Sequence, residues 1–365
     1  MSRVRVGIIG AGGIAATHAR FYKELGVELT GVCDIIEERA LSFAEKFGIP
    51  RENVFTNYKD LIDSVELDAV SVCTPHSSHA EPTIYALRHG VDVLVEKPMA
   101  TSGIEAFNML KAAEESGRIL MVGFQTRFDP EIIAARRFVV NGLLGEFYYG
   151  ESIVGGERRR AIPGESFTRR DISRGGVLLD LGCYALDNAF YILLSPIPVS
   201  VYGYTASAIG RRREAVVEGG WKWNPDAFEV EDFFMGIVRF DGGGILLVKV
   251  AWAMHNDNLG ETFFMGSMGG LKLNPLRLYR DENGYMLTSQ VILPKKGEEA
   301  WREKMYRFIE AVEKGLPSPI DPVCIVVEQY VIDAFYESAT RHREVDVNIP
   351  SEVMDKYMAG RADLR

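Results

Sequence analysis

The stretch Gly175–Asp187, GGVLLDLGCYALD, sets two carboxylates and a phenol among apolar residues. With a helix over its second half, Asp180, Tyr184 and Asp187 fall at i, i+4 and i+7 and share one side. A solvated helix side normally carries Lys or Glu, and this one has neither. A second candidate is Lys97 in VEKPMA, preceded by Glu96 and followed by Pro98. Proline restricts the backbone, so the ammonium can be presented at fixed geometry. A plain structural role stands beside each chemical one: a surface ion pair with Glu96 for Lys97, a helix N-cap for Asp180, and a half-buried phenol bonded to backbone for Tyr184. Asp187 leans structural.

A nucleotide site is suggested upstream. VGIIGAGGIA places Gly10, Gly12 and Ala15 in G-x-G-x-x-A spacing, after an apolar run and at the opening of a helix. The first glycine allows the tight turn, the second lets backbone approach a pyrophosphate, and the small third residue lets helix and strand pack closely. The helix N-terminus adds amide donors and a positive dipole. Asp34 ends the next apolar run, ELTGVCD, where a carboxylate can accept both ribose hydroxyls. It repels a 2'-phosphate, and Ile35, Ile36, Glu37 and Glu38 bring no cation to receive one. NAD is therefore favoured over NADP. The structural alternative is that Asp34 caps the helix after it.

These residues need a frame. Up to Asn141, apolar β-rich runs (RVGIIG, ELTGVCD, AVSVCTP, DVLVEKP, ILMVGFQ) alternate with helical periodicity, the signature of a parallel α/β sheet. After Gly142, runs such as EFYYGESIV, VSVYGYTA, VEDFFMGIVRF and GGILLVKVAWA follow without intervening helices, as in an antiparallel sheet of an α+β domain. We expect a dinucleotide domain over 1–141 and a second domain over 142–365, with two closing helices free to pack back on the first. In the first domain, reactive groups belong at the carboxyl edge of the sheet. The loops CTPHSSHAE and VEKPMA lie there.

Composition narrows the partners. The chain has 365 residues, enough for two domains, and its formal net charge of -10 argues against nucleic acid or anionic membrane. No window reaches the roughly 18 apolar residues of a membrane helix. Cys33, Cys73, Cys183 and Cys324 show no metal-ligand or CxxC spacing, so free thiols in a reducing cytoplasm are expected, with no metal site.

The chain resembles the glucose-fructose oxidoreductase, inositol dehydrogenase and MocA-like family over nearly its whole length. The resemblance rests on GAGGIA, TPHSSHAE, the EKP of Glu96–Pro98, GFQTRF and the GG…DLG…D pattern. It implies a Rossmann domain followed by a domain with a large open, mainly antiparallel sheet, and a cytoplasmic homo-oligomer, a dimer or tetramer. It implies cofactor contacts at Gly10, Gly12, Gly13, Ile14, Asp34, Thr74, Pro75, His79, Glu96 and Lys97, and substrate contacts at Gln125 and Arg127. The EKP lysine maps onto Lys97 and the motif aspartate, which holds a substrate hydroxyl, onto Asp180. Where inositol dehydrogenases carry histidine as proton acceptor, this chain has Tyr184, like the sugar and diol oxidoreductases.

A phenol with a pKa of about 10 is a poor base at neutral pH unless a cation lowers it. Lys97 can be that cation. The expected activity is NAD-dependent oxidation of a secondary alcohol of a sugar, cyclitol or polyol through Lys97, Asp180 and Tyr184. Alternatives are a dihydrodiol- or aldose-type dehydrogenase, a redox-neutral enzyme with tightly held NAD, and a non-catalytic NAD sensor.

Other residues stay open on sequence alone. His79 fits either the motif or packing. Arg158–Arg160 and Arg211–Arg213 suit an anionic substrate group, or solvated loops and subunit contacts. Arg127 borders the pocket or stabilises the junction of the domains. Trp221, Trp223 and Trp252 suit sugar stacking or an oligomer interface.

Overall fold

The apolar runs of the first part become β1 (Arg5–Ile9), β2 (Glu28–Cys33), β3 (Val54–Phe55), β4 (Ala69–Val72), β5 (Asp92–Val95) and β6 (Leu120–Val122). In the computed structural model, which describes residues 4–156, 161–293 and 297–362, these strands form one sheet in the order 3-2-1-4-5-6. All neighbours are parallel. The residues of β4, β5 and β6 are buried throughout, which is why those runs read as continuously apolar. The intervening helices are α1 (Gly13–Glu24), α2 (Glu37–Phe47), α3 (Tyr58–Ser64), α4 (Ala80–Arg88) and α5 (Gly103–Ser116). Strand order reverses between β1 and β4, so a crevice opens at the carboxyl ends of those strands.

Two compact units divide the chain: Met1–Gln125 with Glu298–Val326, and Thr126–Gly297 with Val327–Arg365. The helix Glu299–Lys314 belongs to the first and packs on α1. The change of pattern at Asn141–Gly142 falls where the helix Pro130–Val140 ends and the second sheet is about to begin.

That sheet comprises, among the described residues, β7 (Phe147–Gly155), β8 (Pro198–Ala206), β9 (Phe233–Phe240), β10 (Ile245–Ala251), β11 (Phe263–Gly266), β12 (Gly269–Lys272), β13 (Arg277–Glu282), β14 (Tyr285–Gln290) and β15 (Val345–Asp346). Their order is 14-13-12-11-7-10-9-8-15. Only the β7–β10 pair is parallel. Along β9 and β10 buried and partly exposed residues alternate, so one face carries the core.

Candidate active site

In the first unit, β1 turns into α1 through Gly10, whose φ of +90° lies in the left-handed region. A Cβ there would stand 2.8 Å from the Cys73 backbone, so the turn admits only glycine. Gly12 is the N-cap of α1, makes no side-chain cap bond, and a Cβ on Gly12 or Gly13 would meet nothing within 4 Å. The start of the helix thus has open space beside Gly12 and Gly13 and no side-chain cap bond. That is a fit for a pyrophosphate.

Asp34 is buried beside this turn. Its Oδ2 accepts the Ala11 N–H at 2.9 Å and its Oδ1 the Ile36 N–H at 3.0 Å. The N-cap of α2 is Ile36, so Asp34 does not cap that helix. Arg39 reaches back to within 3.6 Å of the Asp34 carboxylate and is half exposed. The cation-free run Ile35–Glu38 thus ends one residue before a guanidinium that reaches Asp34.

The loops after β4 and β5 both meet at His79. One ring nitrogen lies 2.7 Å from the Pro98 carbonyl and the other 2.9 Å from that of Thr74. Burial pushes the His79 pKa down, against the pull of both carbonyls. Pro75 leads into the short turn His76–Ser78, where His76 is buried. Gln125 closes the unit just past β6, its N–H donating to the Gly123 carbonyl at 3.1 Å.

Glu96 is not at the surface, which removes the reading of a surface ion pair with Lys97. It is buried, and its Oε1 receives Lys304 Nζ at 2.7 Å and His18 Nε2 at 2.8 Å. Burial opposes its ionisation, yet the charge of Lys304 and the His18 bond hold its carboxyl well below the usual range. Its Oε2 accepts the Lys97 N–H at 3.2 Å. His18 is pushed down to about 4 by burial and by the Lys304 charge, and is neutral at ordinary pH.

In the second unit, Gly175 and Gly176 allow a close approach. A Cβ on Gly176 would stand 2.1 Å from the Glu231 carbonyl oxygen. The Glu231 side chain accepts the Gly176 and Leu178 N–H groups and the Tyr336 hydroxyl at 2.8–3.1 Å. A π-helical turn, Leu178–Gly182, then runs into the helix Cys183–Ile192. Asp180 therefore sits inside a helix and is no N-cap. The wider π turn also breaks the simple i, i+4, i+7 stripe.

Asp180 Oδ2 accepts the indole N–H of Trp252 at 2.9 Å. Beside it is a cavity of about 550 Å³ walled by Val154, Phe167, Leu181, Trp221 and Trp252 among others, in which Asp180 is the one ionisable residue of the described lining. Tyr184 is half-buried one turn on and is not among that lining. The three tryptophans separate: Trp221 is 43% exposed and walls the cavity, Trp252 holds Asp180, and Trp223 is buried with its N–H on the Gly210 carbonyl.

Asp187 is fully buried. Its Oδ1 receives Arg127 Nε at 2.8 Å and Nη2 at 2.7 Å, and Glu328 lies 3.7 Å from the same guanidinium. Burial and the Asp187 charge push the Glu328 carboxyl well above its usual range; burial also raises Asp187, against the Arg127 charge. One guanidinium beside two carboxyls is compensated when Asp187 is ionised and Glu328 holds its proton. Arg127 is thereby engaged within the fold. Arg213 pairs with Asp226 and Arg212 with Glu214 at exposed positions, while Arg211 donates to the Phe228 carbonyl. Arg158–Arg160 lie outside the described residues.

Comparison with known proteins agrees with this architecture. Residues 4–124 match the family described as oxidoreductase family, NAD-binding Rossmann fold, and residues 132–272 match the GFO/IDH/MocA C-terminal domain. D-glucoside 3-dehydrogenase of Escherichia coli is 33% identical over 354 residues, covering 95% of this chain and 98% of that protein. Inositol 2-dehydrogenase of Rubrobacter xylanophilus is 35% identical over 146 residues, 39% of this chain and 41% of that protein. Levoglucosan dehydrogenase in complex with NADH shares the fold at a TM-score of 0.81 and 21% identity, covering 96% of this chain and 100% of that one. With the nucleotide turn, the EKP loop and the second sheet all in place, the chain belongs to the Gfo/Idh/MocA family of NAD-binding oxidoreductases.

Proposed function

We propose that this oxidoreductase acts on a secondary hydroxyl of a neutral sugar, cyclitol or related polyol, using NAD. The observation that carries the reading is Asp180, one carboxylate held by Trp252 in the wall of a cavity whose other described lining residues are apolar or aromatic. Such a wall suits a ring with apolar faces and hydroxyl edges, with Asp180 accepting from one hydroxyl. The full-length match to a D-glucoside 3-dehydrogenase supports the substrate class.

Gly10, Gly12, Gly13 and Ile14 would hold the pyrophosphate and Asp34 the ribose, with Thr74, Pro75 and His79 bordering the cofactor. NAD supplies the hydride acceptor. Tyr184, as the phenolate favoured by the Lys97 charge, takes the hydroxyl proton as the carbinol carbon becomes a carbonyl; in reverse it returns that proton. The preference for NAD over NADP rests on the buried carboxylate of Asp34.

The decisive experiment follows NADH absorbance with purified protein and a panel of free sugars, alkyl glucosides, cyclitols and sugar acids. Turnover with a neutral member is expected. Tight NAD binding without any turnover would replace this reading by a redox-neutral or sensing role. We also propose a cytoplasmic homo-oligomer, supported by free cysteines and by Tyr148, Tyr202, Tyr204 and Tyr279 exposed on strands of the large sheet. Light scattering tests the assembly.

A further inference from the structure

Lys304 lies on the helix Glu299–Lys314, 208 residues from Glu96, and its side chain is wholly buried. Lysine is almost never buried without a partner. The same helix already docks through the buried Met305, Phe308 and Ile309. Docking alone would be served as well by an apolar residue at 304, because a buried ion pair seldom stabilises more than a hydrophobic pair of similar volume.

The pair supplies direction instead. An ammonium only donates and a carboxylate only accepts. With Lys304 and Glu96 charged and His18 neutral, His18 must carry its proton on Nε2 to donate to Glu96. Its Nδ1 then accepts from the Ser71 hydroxyl at 3.2 Å, and Ser71 Oγ accepts from the Tyr22 hydroxyl at 2.7 Å. Every polar contact in the chain Tyr22–Ser71–His18–Glu96 is thereby oriented. Glu96 is left with Oε2 aimed at the Lys97 N–H. The space for this pair is specific: a Cβ on Gly123 would stand 2.7 Å from Glu96 Oε1 and 3.3 Å from Lys304 Nζ.

We infer that Lys304, acting through Glu96, is a positioning residue for Lys97. Glu96 holds the amide on one side of Lys97, and His79 holds the Pro98 carbonyl on the other. The lysine thus leaves a loop clamped at both ends by buried groups. This inference rests on the chemical role proposed for Lys97.

The test uses the full-length enzyme, NAD and the panel sugar with the highest turnover. Glu96→Gln keeps shape and places its amide oxygen toward Lys304 and His18, which turns the NH2 toward the Lys97 N–H and breaks that tie. Glu96→Gln and Lys304→Met are each expected to lower kcat at least tenfold, with KM for NAD changed less than twofold in Lys304→Met. The double variant removes the unpaired buried carboxylate of Lys304→Met, so it should regain Tm while kcat stays low. A Glu96→Gln enzyme within twofold of wild-type kcat, or a double variant that regains kcat together with Tm, overturns the inference. If Lys304→Met does not fold, Glu96→Gln decides alone. Lys97→Met separates the two levels: if it keeps turnover, the role of Lys97 fails and the inference with it. If it loses turnover while Glu96→Gln does not, only the positioning role fails.

Discussion

Trp252 and Asp180 are joined by one bond, indole N–H to carboxylate oxygen, at 2.9 Å, and both are largely withdrawn from solvent. A hydrogen bond to a charged group contributes about 1.5–3 kcal/mol. Trp252→Phe keeps an aromatic ring but removes the donor. We expect kcat/KM for the sugar to fall roughly tenfold or more and Tm to fall by a few degrees, as measured by steady-state kinetics and thermal unfolding. Unaltered kinetics would show that Asp180 needs no such support.

Tyr184→Phe tests the proton transfer. Positioned acid–base groups contribute about 10²–10⁴-fold, so kcat should fall by at least about a hundredfold. NAD affinity, followed by quenching of tryptophan fluorescence, should stay within twofold. A fully active variant would remove the phenol from the reaction.

Cofactor choice should depend on Asp34 and Arg39 in opposite senses. Asp34→Ala removes the charge that repels a 2'-phosphate and leaves Arg39, which lies 3.6 Å from that carboxylate, available to a phosphate. The ratio of kcat/KM for NADP to that for NAD should rise, and adding Arg39→Ala should lower it again. No change in either variant would sink the ribose assignment.

Acid should weaken the first unit through His18. Its pKa falls from 6.5 to about 4 in the fold, so the unfolded chain takes up the proton more readily. The stabilisation is full above pH 6.5 and is lost as pH drops toward 4, about 3 kcal/mol in all. Glu96, held below its ordinary value, adds a loss in the same direction at lower pH. Urea unfolding between pH 7 and 4.5 should show this slope, and His18→Asn should flatten it.

The buried acids around Arg127 should respond unequally. Asp187 carries the compensating charge, so Asp187→Asn should cost about 3–5 kcal/mol, the range for breaking a buried pair. Burial and the Asp187 charge hold the Glu328 carboxyl well above its usual range, toward the neutral form, so Glu328→Gln should cost less than about 1 kcal/mol. Equal losses in urea unfolding would mean that both carboxyls are ionised.

Much of the frame is legible in the sequence because burial on both faces writes long apolar runs, as in β1, β4 and β5. Very short elements are not: β3 has two residues, so neither the apolar pattern nor length marks it clearly. The nucleotide turn is legible because Gly10 must hold a positive φ. Residues that act through distant partners leave no local mark. Lys304 lies in an ordinary amphipathic helix, and Trp252 follows a strand like any core aromatic. Glu231 meets the glycine pair of Gly175–Gly176 only after 55 residues of separation. The π turn was equally hidden, since its residues read as regular helix.

The Lys304–Glu96 contact also sets the order in which the molecule can be completed. Glu96 is synthesised 208 residues, and His18 286 residues, before the only ammonium bonded to Glu96 among the described residues. On the ribosome the nucleotide unit therefore stays unfinished until residues 126–297 of the second unit have been made. A fragment ending at residue 125 carries the whole parallel sheet but leaves a buried carboxylate without its cation. A chimera that exchanges nucleotide units between relatives must bring residues 298–326 along with 1–125.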